Sequence, residues 1–237
     1  MKVLALLSGG KDSVAALHIA RLHGWDVVGA CTLEVVGEDS HMFHRPNTRW
    51  TALLAEALEV PLFTGKTEGE QETELEDLGS LLRRARDETQ ADAVVSGAIA
   101  SEYQRTRIER IGHRLGLKTF APLWHKDPHA YVHSLIAARF HIHIVATATD
   151  GLGRGWLGRK LTRRALTTLE RQAERFRFNI AGEGGEYETL VTDGPGFRRP
   201  LEVVSAEPHW HRDAGWWEIT EARLGEPHDG PPPIPLE

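Results

Sequence analysis

The sequence predicts an α/β protein, a doubly wound parallel sheet followed by a smaller C-terminal α+β region. Three observations carry this. A short apolar run, Val3 to Leu7, ends in Ser-Gly-Gly and opens at once into residues with helical apolar spacing. Strand-like and helix-like segments then alternate to about residue 120, which implies parallel strands joined by right-handed crossovers. After Pro122-Leu123-Trp124 the alternation stops, and the chain finishes in segments that read as an antiparallel sheet.

In chain order, residues 1–7 read as a buried strand, and Val14 to Ala20 as the helix that follows it. Residues 27–36 form the second strand. Pro46-Asn47-Thr48 before Trp50, Leu53, Leu54, Ala57 and Leu58 marks a capped helix start. Strands at 61–63, 91–96 and 119–120 then enclose helices at 70–88 and 102–115. Beyond a boundary near residue 125, a helix at 128–138 precedes a strand at 141–146, a glycine-rich turn and a basic helix at 162–176. Gly182 to Glu186 reads as a loop, with strands at 201–207 and 216–224. The organisation is therefore 1–125, 126–224 and a proline-rich tail at 225–237, in which five prolines and no apolar period predict disorder.

Composition narrows the class. One cysteine, Cys31, excludes an intramolecular disulfide framework and a cysteine-based zinc site, and it lies inside an apolar strand as an unreactive thiol would. The first apolar run is too short for a membrane span and has no cleavage site, so a soluble, cytoplasmic protein is expected. A net charge of −6 argues against nucleic acid as a partner. The charge is unevenly spread: residues 154–177 hold eight Lys or Arg, whereas residues 68–77 hold six carboxylates. One face could meet an anionic partner. His141 and His143 would share a strand face, but no third zinc ligand is fixed by spacing.

The chemistry centres on Ser8-Gly9-Gly10-Lys11-Asp12-Ser13. A strand that delivers small residues into a helix start gathers backbone N–H groups at the positive end of the helix dipole, an anion site. Gly9 and Gly10 allow close approach, Ser8 and Ser13 add hydroxyls, and Lys11 adds charge. The pattern is not a Walker A loop, which would predict cleavage at the γ-phosphate. Asp12 is a candidate metal ligand or helix cap.

The hexapeptide resembles the loop of the N-type ATP pyrophosphatases, or PP-loop enzymes of HUP-type fold, which cleave ATP to AMP and pyrophosphate. Three further stretches narrow the resemblance: residues 41–47 (His-Met-Phe-His-Arg-Pro-Asn), 96–104 (Ser-Gly-Ala-Ile-Ala-Ser-Glu-Tyr-Gln) and 182–190 (Gly-Glu-Gly-Gly-Glu-Tyr-Glu-Thr-Leu). Together they resemble the diphthine–ammonia ligases, over residues 1 to about 224. The resemblance implies ATP and Mg²⁺ as cofactors, elongation factor 2 as protein substrate, and ammonia as nucleophile. A diphthine carboxylate would be adenylated and then amidated, because an acyl adenylate offers AMP as a leaving group where a carboxylate offers only oxide. It also implies that eukaryotic members carry additional C-terminal domains.

Within those stretches, Ser96 and Gly97 end a strand at the carboxyl edge of the sheet, where nucleotides sit, and Glu102, Tyr103 and Gln104 follow as candidate substrate contacts. Glu183 and Glu186 are candidate catalytic carboxylates. Gly184, Gly185, Tyr187 and Glu188 are candidate substrate contacts, and their loop could hold metal, orient ammonia or receive a trimethylammonium group. Tyr103, Trp124 and Tyr187 could supply aromatic faces to such a cation. Glu68-Gly69-Glu70 is an acidic loop after a strand end. Three rivals remain: a tRNA-modifying enzyme with the same loop, supported by residues 154–177, an ATP-sensing module without ligase activity, and, for a bacterial source, a ligase that amidates another carboxylate. A homodimer is compatible with each of these readings.

Overall fold

The computed structural model describes residues 1–35, 48–68, 71–228 and 236. The 41–47 motif and Gly69-Glu70 of the acidic loop lie outside the described residues. Strands β1 (Lys2–Leu6), β2 (Asp26–Val35), β3 (Leu62–Thr67), β4 (Ala93–Val95) and β5 (Lys118–Phe120) form one sheet in the order β3-β2-β1-β4-β5, every pair parallel. The chain winds from β1 outward to β3, then crosses back for β4 and β5. The order therefore reverses between β1 and β4, and a ligand crevice of a doubly wound sheet opens at the carboxyl ends of those two strands.

Period-2 alternation in β1 sorts its side chains. Leu4 packs with Leu81, Leu82 and Ala85 of α3 (Gln71–Thr89) and with Ile111 and Leu115 of α4 (Glu102–Leu115). Val3 turns to the opposite face, against Ala16 and Ala20 of α1 (Lys11–Leu22). Ser101 caps α4 by accepting from Gln104 N, and Gly116 ends it in the left-handed conformation at φ 67°.

The second region begins with α5 (Pro128–Ala137), whose N-cap Asp127 accepts from Ala130 N at 2.8 Å. Then come β6 (His141–Thr147), α6 (Arg163–Phe176), β7 (Tyr187–Asp193), β8 (Leu201–His211) and β9 (Ala214–Leu224), an antiparallel sheet in the order β7-β6-β9-β8. Helix α6 buries Ala165, Leu166, Leu169 and Ala173 on one side and exposes Arg163, Arg164, Arg171 and Arg175 on the other.

Strand β7 is an element that the sequence reading left unassigned, between its loop at Gly182 to Glu186 and its strand at 201–207. Its register is set by pairing with β6, a partner about forty to fifty residues earlier, so no local pattern announces it. Strand β3 likewise runs on through Gly65 and Lys66, poor strand formers that Leu33 and Glu34 of β2 hold in register.

The two sheets share one core. Helix α2 (Thr51–Ala57) contributes Leu54, which lies with Leu58 and Leu7 in the same buried cluster as Tyr131, Leu190, Val191 and Phe197. Described residues of the C-terminal segment pack as well: Leu236 is buried, its carbonyl accepting from Lys126 Nζ at 3.1 Å, and His228 N donates to Arg198 O at 2.9 Å. At these residues the chain is seated on the fold, where composition alone predicts disorder.

Candidate active site at the phosphate loop

The loop from Ser8 to Ser13 sits where β1 ends and α1 begins, at the switch point. Its own hydroxyls wrap it: Ser13 Oγ donates to Gly10 O at 2.9 Å, and Ser13 Oγ accepts from Ser8 N at 3.2 Å. Gly9 has φ +83°, and a Cβ there would stand 2.9 Å from Leu54 Cδ1, so the turn requires glycine. Gly10 occupies the N-cap of α1 and offers no side chain to the helix amides. A Cβ on Gly97, at the end of β4, would lie 2.6 Å from the Asp12 carbonyl carbon. Gly97 therefore lets the β4 end press directly on the loop, and Ser96 is buried beneath it with its N–H donating to Phe120 O.

The second sheet completes this loop. Val191 N donates to Gly9 O at 2.9 Å, and Lys11 N donates to Thr189 Oγ1 at 3.0 Å, so β7 lies against the loop backbone. Lys11 is almost wholly buried, with Nζ 2.9 Å from Asp12 Oδ2 and 5.6 Å from the centroid of the Tyr187 ring. The other Asp12 oxygen accepts from Tyr131 OH at 2.8 Å. Burial, then the charge of Asp12, holds the phenols of Tyr131 and Tyr187 well above the ordinary tyrosine value. Both remain protonated, and Tyr131 is a hydrogen-bond donor to Asp12.

Glu183 faces the same group. Its Oε2 accepts from Ala100 N at 3.3 Å, and burial followed by the negative charge of Asp12 pushes its carboxyl above the usual carboxylate range. Glu186 does different work. Its two oxygens accept from Asn179 N and Gly184 N, both at 2.8 Å, which cinches the Gly182–Gly185 turn. Glycines 182 and 185 adopt φ +75° and +82°, a conformation that suits glycine, and Gly184 sits against the Glu186 carboxylate. Tyr187 is fully enclosed with its hydroxyl on Ile180 O, so its ring serves Lys11 and has no open face for a ligand cation.

The remaining candidates sit further out. Glu188 is exposed on β7. Glu102 and Glu109 bracket Arg105, whose guanidinium stacks on Trp124 at 4.9 Å, and Arg107 covers the Tyr103 ring at 3.1 Å. The aromatic faces suggested for a trimethylammonium group thus already hold arginine cations. Gln104 contributes its backbone N–H to the Ser101 cap. Among the described residues no cluster of three His, Cys, Asp or Glu could hold a metal, and Cys31 is buried with its thiol pushed up to about 12 by that burial. Two residues that sequence reasoning did not single out, Tyr131 and Thr189, touch the loop. Tyr131 is 119 positions from Asp12 and carries no local signal.

Comparison with known families agrees with this architecture. A family model described as the diphthamide synthase N-terminal domain matches residues 1–119, and one for the diphthamide synthase C-terminal domain matches residues 127–224. This chain belongs to the diphthamide synthase family. A Danio rerio protein named diphthine–ammonia ligase is 31% identical over 246 residues, covering 96% of each chain. A Homo sapiens protein of the same name is 30% identical, covering 96% of this chain and 92% of that one. A Schizosaccharomyces pombe relative, also so named, is 35% identical over 87% of this chain but only 37% of its own length. The extra length expected of eukaryotic family members is thus present in the fission-yeast protein and not in the zebrafish one. The loop residues and the 182–190 stretch both fall inside the matched regions. No helix among the described residues is long and apolar enough to cross a membrane.

Proposed function

We propose that this protein is an ATP-dependent ligase that adenylates the carboxylate of diphthine on elongation factor 2 and lets ammonia displace AMP, yielding diphthamide. The observation that carries this reading is that β7 of the second region hydrogen-bonds the Ser8–Ser13 loop through Thr189 and Val191, while the turn before β7 brings Glu183 to Ala100, in a chain of this family. A diphthine carboxylate oxygen attacks the α-phosphorus, and pyrophosphate leaves. Loop amides and Lys11 stand where charge develops on the phosphates, and fixed donors in a water-poor site give the largest catalytic contribution. Glu183, with its raised carboxyl, accepts a proton from ammonia as nitrogen forms the C–N bond and AMP departs.

Asp12 fits Mg²⁺, which is commonly held by one or two carboxylates together with substrate phosphates. Its two oxygens keep lone pairs beyond those given to Tyr131 and Lys11. The ion would neutralise phosphate charge. The protein acceptor is served by α6, whose exposed arginines lead through Arg177 to the Gly182–Glu186 loop. None of the eight basic residues from 154 to 177 forms an ion pair among the described residues, in contrast to Arg49, Arg86, Arg105, Arg198, Arg199 and Arg223.

The test is AMP and pyrophosphate release from ATP with diphthine-bearing elongation factor 2 plus ammonium, and separately with bulk tRNA. Turnover only with the protein acceptor is expected. AMP formation only with tRNA would overturn the reading. Gly10→Ala, whose Cβ clears every neighbour by 3.5 Å in the free loop, should fold normally and lose nucleotide turnover.

A further inference from the structure

We infer that Tyr131 is a positioning residue of the phosphate site, supplied by the second region to fix the orientation of the Asp12 carboxylate. The inference rests on the ligase reading above only for the catalytic half of its test. Tyr131 lies on α5, and its side chain is completely enclosed in the shared core among Val132, Leu135 and other apolar residues. A phenylalanine would fill that volume. The hydroxyl instead reaches Asp12 Oδ1 at 2.8 Å, while Lys11 Nζ holds Oδ2 at 2.9 Å. A carboxylate held on each oxygen by a different donor is restrained from turning about its last side-chain bond. With the phenol removed, only Lys11 remains, and Lys11 is a neighbour on the same loop that would follow Asp12 wherever it swung.

The geometry also explains why a helix of the second region is needed at this site. Asp12 lies in the first turn of α1 with its side chain about a quarter exposed. Among the described residues, no group on α1 donates a hydrogen bond to its Oδ1. Tyr131 acts through Asp12 and need not touch substrate, so it is a positioning and not a catalytic residue. Misplacement of such a group by about 1 Å is enough to cost on the order of 10²-fold in rate.

The experiment pairs Tyr131→Phe with Asp12→Asn. Two quantities are read: the dissociation constant of the non-cleavable analogue α,β-methylene-ATP by calorimetry, with MgCl₂ and with EDTA, and the kcat and KM for ATP. Tyr131→Phe is expected to melt within a few degrees of the parent, to weaken analogue binding in MgCl₂ and not in EDTA, and to lower kcat about 10- to 100-fold. In the Asp12→Asn background the same substitution should change neither quantity. Equal weakening in both backgrounds, equal weakening with and without Mg²⁺, or no effect at all would each overturn the inference. Analogue binding requires no acceptor, so failure of diphthine as substrate would leave this half of the test readable and would count against the ligase reading alone.

Discussion

Glu183 is a carboxylate kept at an energetic disadvantage in the ligand-free protein. Burial and the charge of Asp12 raise its folded-state pKa above 4.5, so its charged form destabilises the fold. The sign follows from linkage: below the unfolded value both states are protonated and the cost vanishes, while rising pH through the folded value charges a group the fold resists charging. Glu183→Gln removes that cost and the proton acceptor together. Near pH 7 this variant should melt a few degrees higher than the parent, an advantage that shrinks toward pH 4, and turnover should fall by about 10²- to 10⁴-fold. Thermal melts at the two pH values, set beside AMP release, check both halves. A variant that melts lower at pH 7 would show that the Ala100 hydrogen bond outweighs the buried charge.

Strand β6 carries His143, whose protonation the fold opposes. The His143 ring is largely buried against Trp217, with Nδ1 3.0 Å from Gly158 O, and burial lowers its pKa below 6.5. A neutral ring donates to that carbonyl at no cost, whereas protonating it in place is opposed. As pH falls through about 6.5 the unfolded chain takes up the proton first, so this contribution to stability is lost on acidification. The urea midpoint should therefore drop between pH 8 and pH 5.5 by more in the parent than in His143→Asn; equal slopes would refute it. The same scale shows what sequence can and cannot carry. Helix α4 is legible to its ends because Ser101 and Gly116 are local stop signals, and Ser8 to Ser13 because strand, turn and helix are contiguous. Strand β7 is not, since β6 defines it, and the motif residues it carries read as loop chemistry. Glu186 illustrates the cost: its place in the 182–190 stretch makes it a candidate catalytic carboxylate, while its oxygens accept from the turn beside it. Tyr131 and Thr189 reach the loop only through tertiary folding, and no periodicity encodes that meeting.

At the scale of the whole molecule, the two regions do not divide the core between them. Leu7, Leu54 and Leu58 from the first lie in one buried cluster with Leu190, Val191, Phe197 and Ile219 from the second, and several of these are entirely enclosed. Separating the regions would return those side chains to water at about 1.5–3 kcal/mol each, more than independent folding of either part could absorb. A single cooperative transition is therefore expected, with calorimetric and van't Hoff enthalpies in agreement. Because the loop packs against Gly97 on one side and is hydrogen-bonded to Thr189 and Val191 on the other, α,β-methylene-ATP should move that transition upward as one peak. Two resolved peaks, with only the first responding to nucleotide, would mean that residues 1–125 build the phosphate site alone. In that event a fragment ending at residue 125 would bind the analogue as tightly as the full chain. If the core is shared as the packing indicates, that fragment exposes Leu54, Leu58 and Ile99 and should aggregate before it binds anything.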